Sequence, residues 1–203
     1  MDEISLVNAA QKGDLNAFNR LVLAYQELAY NIAYRILGDP HAADDATQDA
    51  FIAAYKHLKS YRGGSFRAWL MRIVTNKCYD ELRRQRRHPQ TPLEPINPDS
   101  EEEIESPQWI MDDSPSPEEQ AETIDLDKAV QNCIQQLPED FRVVVVMVDI
   151  QDFDYNEVSH AIGKPLGTIK SRLARARMRL RDCLQGFREL LPSMFRLENE
   201  ELS

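Results

Sequence analysis

Between residues 91 and 127 the chain carries thirteen acidic side chains and neither Lys nor Arg. Seven of its eleven prolines, Pro89, Pro92, Pro95, Pro98, Pro107, Pro115 and Pro117, fall in or beside the same stretch. Such a segment lacks amide donors at its prolines, repels itself and has little apolar surface to bury, so it reads as an extended linker. A chain of 203 residues divided in this way is expected to form two small units instead of one large core. The expected boundaries are residues 1–88 for the first unit, 89–122 for the linker, 123–186 for the second unit and 187–203 for a tail. Trp109 and Ile110 are the linker's apolar exception, a pair that would dock on another surface.

Both units read as helical. Phe18, Leu21, Val22, Tyr25, Leu28, Ala29, Ile32, Ala33 and Ile36 recur at three- and four-residue steps, the stripe of a core-facing helix. Asp14 is placed to cap that helix, Gly38 to end it, and Pro40 to open the next. The second helix runs to about Lys59, Tyr61-Arg62-Gly63-Gly64 breaks the pattern, and Ser65 caps a third helix ending in Arg83-Arg84-Gln85-Arg86-Arg87. Beyond the linker, Leu126, Val130, Cys133, Ile134 and Leu137 form a further stripe that Pro138 ends. Phe141 to Val148 is rich in Val and has strand propensity, yet its helical neighbours and lack of a partner strand favour helix. Asp154 with Glu157 makes a capping box, Gly163 a stop, Pro165 a stiff turn and Thr168 a second cap. The fold class expected is therefore all-α.

The formal net charge of −10 argues against nucleic acid only until its distribution is read. Residues 1–90 hold 13 basic and 10 acidic side chains, and residues 128–203 hold 11 of each, so the acidity is concentrated in the linker. Cys78, Cys133 and Cys183 form no C-x-x-C pair, and with four histidines no metal-ligand spacing appears; reduced, half-buried thiols and no metal or cofactor are expected. The N-terminus is polar and no apolar run nears the ~18 residues of a membrane span, which points to a cytoplasmic protein without membrane insertion.

Three constellations carry chemistry. Lys170, Arg172, Arg175, Arg177, Arg179 and Arg181 follow the helix-turn-helix pattern of residues 154–168, and no acid lies between Val158 and Arg181. A basic second helix of this kind enters the major groove of DNA. Thr168, Lys170, Ser171, Arg172 and Arg175 in its first turns would reach base edges, while Arg177, Arg179 and Arg181 suit phosphates. Val158, Ala161, Ile162, Ile169, Leu173 and Ala176 would hold the two helices together. Asp45, Gln48, Asp49 and Ile52, with Tyr55, make a mixed ridge on the second helix; alone it reads as a solvated face whose acids favour the helix dipole. Ser60, Tyr61 and Arg62 in the glycine-bounded loop, with Asn76, Arg83 and Arg84 behind them, interleave aromatic and basic groups in the manner of a surface for unpaired bases. Phe66, Trp69, Leu70 and Ile73 are assigned to the core, and Tyr61 and Arg62 to exposed positions.

Together the segments D-D-A-T-Q-D-A-F-I-A-A-Y, F-R-A-W-L-M-R-I-V-T-N-K-C-Y-D-E-L-R-R and G-x-x-x-G-T-I-K-S-R-L-A-R-A-R resemble the extracytoplasmic-function (ECF) group of bacterial sigma factors, in the sigma-70 family. The resemblance implies a promoter-specificity subunit of RNA polymerase that responds to a signal, with a region 2 domain before the linker and a region 4 domain after it. It implies that Asp45, Gln48, Asp49, Ile52 and Tyr55 bind the coiled coil of the polymerase β′ clamp, and that the region 4 domain meets the β flap. The Ser60, Tyr61 and Arg62 loop would capture a flipped base of the −10 element, with Asn76, Arg83 and Arg84 along the backbone. Thr168, Lys170, Ser171, Arg172, Arg175 and Arg177 would read the −35 element. An anti-sigma factor is a further implied partner, and the linker would thread toward the polymerase cleft. The competing reading is a stand-alone dimeric helix-turn-helix regulator, which accounts for residues 154–182 and leaves the other two constellations unused. Catalysis by the chain is not expected, since Glu27, His57 and Asp80 stand at no catalytic spacing.

Overall fold

The computed structural model describes residues 2–87 and 117–190; Trp109, Ile110 and most of the linker lie outside them. The chain before the linker forms α1 (Glu3–Gln11), α2 (Leu15–Leu37), α3 (Pro40–His57) and α4 (Phe66–Arg87). After it come α5 (Pro117–Gln135), α6 (Glu139–Val145), α7 (Tyr155–Ile162) and α8 (Leu166–Leu184). No strand occurs among the described residues.

Local chemistry sets most boundaries. The Asp14 carboxylate accepts from the amides of Asn16 and Ala17, and Gly38 takes the left-handed conformation (φ 78°) that ends α2. Asp39 caps α3, with Pro40 in its first turn, and the Ser65 hydroxyl accepts from the Ala68 amide at the start of α4. The Asp154–Glu157 capping box is formed in both directions. Phe141–Val148 is helical as expected, but it widens into a π turn over Val146–Ile150, with the Gln151 amide donating to the Val146 carbonyl. Val143 to Val146 are all at or below 1% exposure, so burial overrides their strand propensity.

Two expectations are corrected. Thr168 does not cap the reading helix: α8 begins at Leu166, two residues earlier, and Pro165 precedes it without any side-chain cap. Pro165 presets the turn, and its carbonyl accepts from the Thr168 amide. The thiols are not all reduced, because Cys133 of α5 and Cys183 of α8 form a disulfide with Cα atoms 5.8 Å apart. Cys78 stays free and buried, and burial pushes its pKa up to about 12. After Leu184 the described residues form a short 3-10 turn, Gln185–Phe187, and the tail from residue 191 lies outside them.

The two helical units are packed together. Buried residues of both form one continuous core that runs from Leu6 through Phe66 and Val143 to Ala176. α7 lies against α4, while α5, α6 and the π turn lie against α2. Sequence periodicity shows which face of each helix is apolar; it does not show that α4 and α7 bury theirs on each other.

Candidate nucleic-acid and partner interface

The ridge on α3 is open. Ala43, Ala46, Ala50 and Ala54 turn inward and are nearly fully buried, and their small side chains let α3 lie close to α2 and α4. That packing leaves Asp45, Gln48, Asp49, Ile52 and Tyr55 exposed along the opposite side. Ile52 and Tyr55 are 47% and 42% exposed and add apolar surface to the charged row. The Asp49 carboxylate pairs with Lys77 at 3.3 Å. Beside the ridge lies a groove of about 660 Å³ bordered by Val22, Glu27, Tyr30, Asp45, Thr47 and Gln48. The Thr47 Oγ1 is buried with no partner. Sequence reading placed Val22 in the core-facing stripe and set Glu27 aside as a catalytic candidate, and neither reading pointed to the α2 side of this groove.

The glycine-bounded loop differs from expectation in one respect. Arg62 is exposed, but Tyr61 is only half-exposed. Its ring packs on Phe66 and Trp69, with centroids 5.7 and 5.4 Å away. Its hydroxyl donates to the Gly64 carbonyl at 2.7 Å, and burial raises its pKa. Phe66 and Leu70 are core, as expected, whereas Trp69 and Ile73 are partly exposed. The loop and the start of α4 border a cavity of about 380 Å³, and Asn156, Glu157 and His160 of α7 close its far side. Ser60, Asn76, Arg83 and Arg84 are exposed. Arg83 and Arg84 pair with Asp80 and Glu81 one turn back, so phosphates would compete with local carboxylates for them.

On α8, Ile169, Leu173 and Ala176 are buried against Val158 and Ala161, which sets the angle of the reading helix. Lys170, Ser171, Arg175 and Arg177 are exposed and Thr168 half-exposed. Arg177 forms a two-pronged pair with Asp149 at 2.9 and 2.6 Å, which raises its pKa further. Arg172 is different: its side chain is only 17% exposed and is held by Asp140. Asp140 also accepts from the Tyr79 hydroxyl of α4 at 3.3 Å. Burial, and then Asp140, push the Tyr79 pKa upward. Of the six residues expected to read a −35 element, one is thus tied into the seam between the two units.

Among the described residues no cluster of His, Cys, Asp and Glu is arranged to hold a metal ion. No described helix is long and apolar enough to cross a membrane.

Comparison with known proteins bears on these surfaces. Residues 21–88 match the Sigma-70 region 2 model and residues 127–180 the Sigma-70, region 4 model. The chain is 34% identical over 186 residues to the RNA polymerase sigma-H factor of Pseudomonas aeruginosa, covering 89% of this chain and 92% of that protein. It is 36% identical over 175 residues to the ECF RNA polymerase sigma-E factor of Escherichia coli, covering 85% and 88%. It is 33% identical to the ECF RNA polymerase sigma factor SigE of Mycolicibacterium smegmatis, of which it spans 62%. Among solved structures, CnrH in complex with the cytosolic domain of CnrY superposes with a TM-score of 0.64 at 26% identity, covering 91% of this chain and 97% of that one. The sigma factor RpoE of Bartonella quintana, in complex with the anti-sigma factor NepR, shares the fold with a TM-score of 0.62 at 22% identity, over 84% and 98%.

Proposed function

The chain belongs to the ECF sigma factors of the sigma-70 family, subunits that direct RNA polymerase to promoters, and we propose that its three surfaces divide that task. The α3 ridge docks on the coiled coil of the polymerase β′ clamp. The loop of Ser60, Tyr61 and Arg62 takes an unpaired base of the −10 element, and Asn76, Arg83 and Arg84 follow its backbone. The exposed start of α8, with Thr168, Lys170, Ser171 and Arg175, reads the −35 element in the major groove, and Arg172 joins it once released from Asp140. The second unit also meets the β flap.

The observation that carries this reading is the separation of surface types. An acidic, amide and apolar row lies open on α3, while aromatic-basic and basic surfaces lie elsewhere on the molecule. Protein partners suit the first and nucleic acid the others. Phosphate contacts supply affinity that falls with salt. The Phe66, Trp69 and Tyr61 rings, packed edge-on and tilted against one another, support a pocket in which an extruded base is held, so that melting is favoured over reannealing. Chemistry belongs to the polymerase. An anti-sigma partner is supported by the kind of complex in which the similar folds were solved. The chain acts in the cytoplasm, where its polymerase works.

The test is transcription by bacterial core polymerase on a pooled promoter library, with and without the chain. Transcripts that require the chain and share two spaced upstream motifs are the expected result. Absence of chain-dependent transcripts, in a reaction that responds to another sigma factor, overturns it. Tight binding of the free chain to a duplex palindrome would then favour the stand-alone regulator.

A further inference from the structure

α1 precedes residue 21, where the match to region 2 begins, and it holds no residue of the three surfaces described above. Leu6, Val7 and Ala10 bury one side of it, and it lies against α2. Its last residue, the half-buried Gln11, reaches instead toward the −10 loop. The Gln11 side-chain amide donates to the Leu58 carbonyl at 3.0 Å and to the Tyr61 carbonyl at 2.9 Å. Leu58 opens the 3-10 turn Leu58–Ser60 that follows α3, and Tyr61 leads from it into the glycine-bounded loop. A side-chain amide carries two N–H donors, so one Gln11 nitrogen is matched to two acceptors.

The loop has reason to need an outside tie. Gly63 and Gly64 both take left-handed φ values, 98° and 95°, and glycine is the residue with most conformational freedom to lose. The bonds made within the segment are local. The Ser60 hydroxyl donates to the His57 carbonyl at 2.6 Å, Arg62 to the Lys59 carbonyl at 3.3 Å and the Tyr61 hydroxyl to the Gly64 carbonyl. Each spans three residues, so together they shape the loop without fixing it to the body of the protein. The Tyr61 ring fixes it from one side, on Phe66 and Trp69. Gln11 fixes the backbone of the same residue from the other.

α1 is itself anchored where such a tie needs it. The Tyr25 hydroxyl of α2 donates to the Glu3 carboxylate in its first turn. The Tyr25 ring lies 5.7 Å from Phe66, the ring that Tyr61 meets edge-on. The helix is therefore held at its start by Tyr25 and meets the loop at its end through Gln11. A plain helix-capping role would need only the Leu58 carbonyl, which already accepts from the Tyr61 amide at 3.1 Å. The bond to the Tyr61 carbonyl lies beyond the helix end and acts on the loop.

Resting on the promoter-reading function above, we propose that Gln11 is a positioning residue for −10 recognition. By bridging the Leu58 and Tyr61 carbonyls it holds Ser60, Tyr61 and Arg62 in one arrangement before a base arrives. An extruded base then meets a formed site and does not have to order the loop itself. Without the amide, two carbonyls lose a donor and the Gly63-Gly64 segment is free to widen the loop. Gln11 acts through Tyr61 and need not touch DNA.

The test uses the full chain with core polymerase on a promoter from the pooled library, with 2-aminopurine in the nontemplate strand of the −10 element. Gln11→Leu removes both donors, and Gln11→Arg restores a fork of N–H groups. In Gln11→Leu the extrusion equilibrium read from 2-aminopurine fluorescence should fall about tenfold. Base preference in the −10 element should relax, while polymerase affinity and −35 preference stay as in the wild type. Gln11→Arg should recover the −10 preference; a charge acting on phosphates alone would strengthen every promoter and recover none of it. Wild-type extrusion and preference in Gln11→Leu overturn the proposal. So does a loss that falls equally on polymerase affinity and is not recovered by Gln11→Arg. If the wild type gives no transcript, amide exchange of the free chains decides. Exchange about tenfold faster across residues 59–65 in Gln11→Leu shows that the tie stands and the sigma reading fails, and unchanged exchange overturns both.

Discussion

α3 and α8 each present a row of charged side chains, yet the fold treats them in opposite ways. The α3 row is acidic, lies on an outer face and keeps Ile52 and Tyr55 in the open. The α8 row is basic and partly answered within the molecule, Arg172 by Asp140 and Arg177 by Asp149. The loop before α4 shares that fate, with α7 against its cavity. The difference teaches an order of events. On the proposed reading the free ridge suits a first encounter with polymerase, while Arg172 and Arg177 must leave their carboxylates before they reach DNA.

Perturbations of each side should separate cleanly. The largest expected effect is on stability alone. Cys183→Ser removes a bridge between residues 50 apart in sequence, and about 2–4 kcal/mol of stability should go with it. The thermal midpoint in non-reducing buffer reads this loss, and reductant should bring the wild type to the same value. Polymerase affinity should stay unchanged. Next comes Asp45→Arg with Asp49→Arg, which sets like charge against whatever surface the ridge fits. Binding to core polymerase should weaken about a hundredfold in a fluorescence titration, with an unaltered thermal midpoint because both side chains are exposed.

On the DNA side, Arg175→Ala should cost about 1–3 kcal/mol of discrimination at one position of the upstream motif, seen as relaxed base preference in the promoter pool. Arg84→Ala should instead weaken all promoters alike and lower the slope of affinity against salt by about one. The smallest effect, about 1 kcal/mol, is expected for Gly38→Ala, which forces a left-handed φ on a residue with a Cβ. That Cβ also pushes on Gln135. A loss confined to α2 with normal protection at α7 would show that the seam tolerates the displacement.

The parts of this molecule that sequence makes legible are those governed by neighbours along the chain. Asp14, Gly38, Ser65 and the Asp154–Glu157 box each act within a few residues, and all were readable. The ridge was readable as a row too, since Asp45, Gln48, Asp49 and Ile52 recur at one- to four-residue steps along one side of α3. Thr168 misled because Pro165 starts α8 without a side-chain cap, leaving a capping residue type one turn inside. The disulfide had no local signature, as three cysteines do not specify a pairing and Cys133 reads as one more member of an apolar stripe.

The seam was out of reach for the same reason. The Arg142 guanidinium donates to the Ile36 carbonyl across 106 residues. One clue was present: a lone cation inside Phe-Arg-Val-Val-Val-Val must find acceptors if the run is buried. The clue says that a partner exists and leaves its identity to the fold. Tyr61 shows the converse. Loop position suggested exposure, but Phe66 and Trp69 offer a ring-lined site that half covers it.

The most direct test of this account is oxidative footprinting of side chains in the free chain and in the chain bound to core polymerase. The account predicts that Tyr55 is modified rapidly in the free chain while Trp69 and Tyr61 are slow. Polymerase should reverse the pattern, protecting Tyr55 and exposing Trp69 and Tyr61. Equal rates at all three in the free chain, or no change at Trp69 and Tyr61 on polymerase binding, would contradict it.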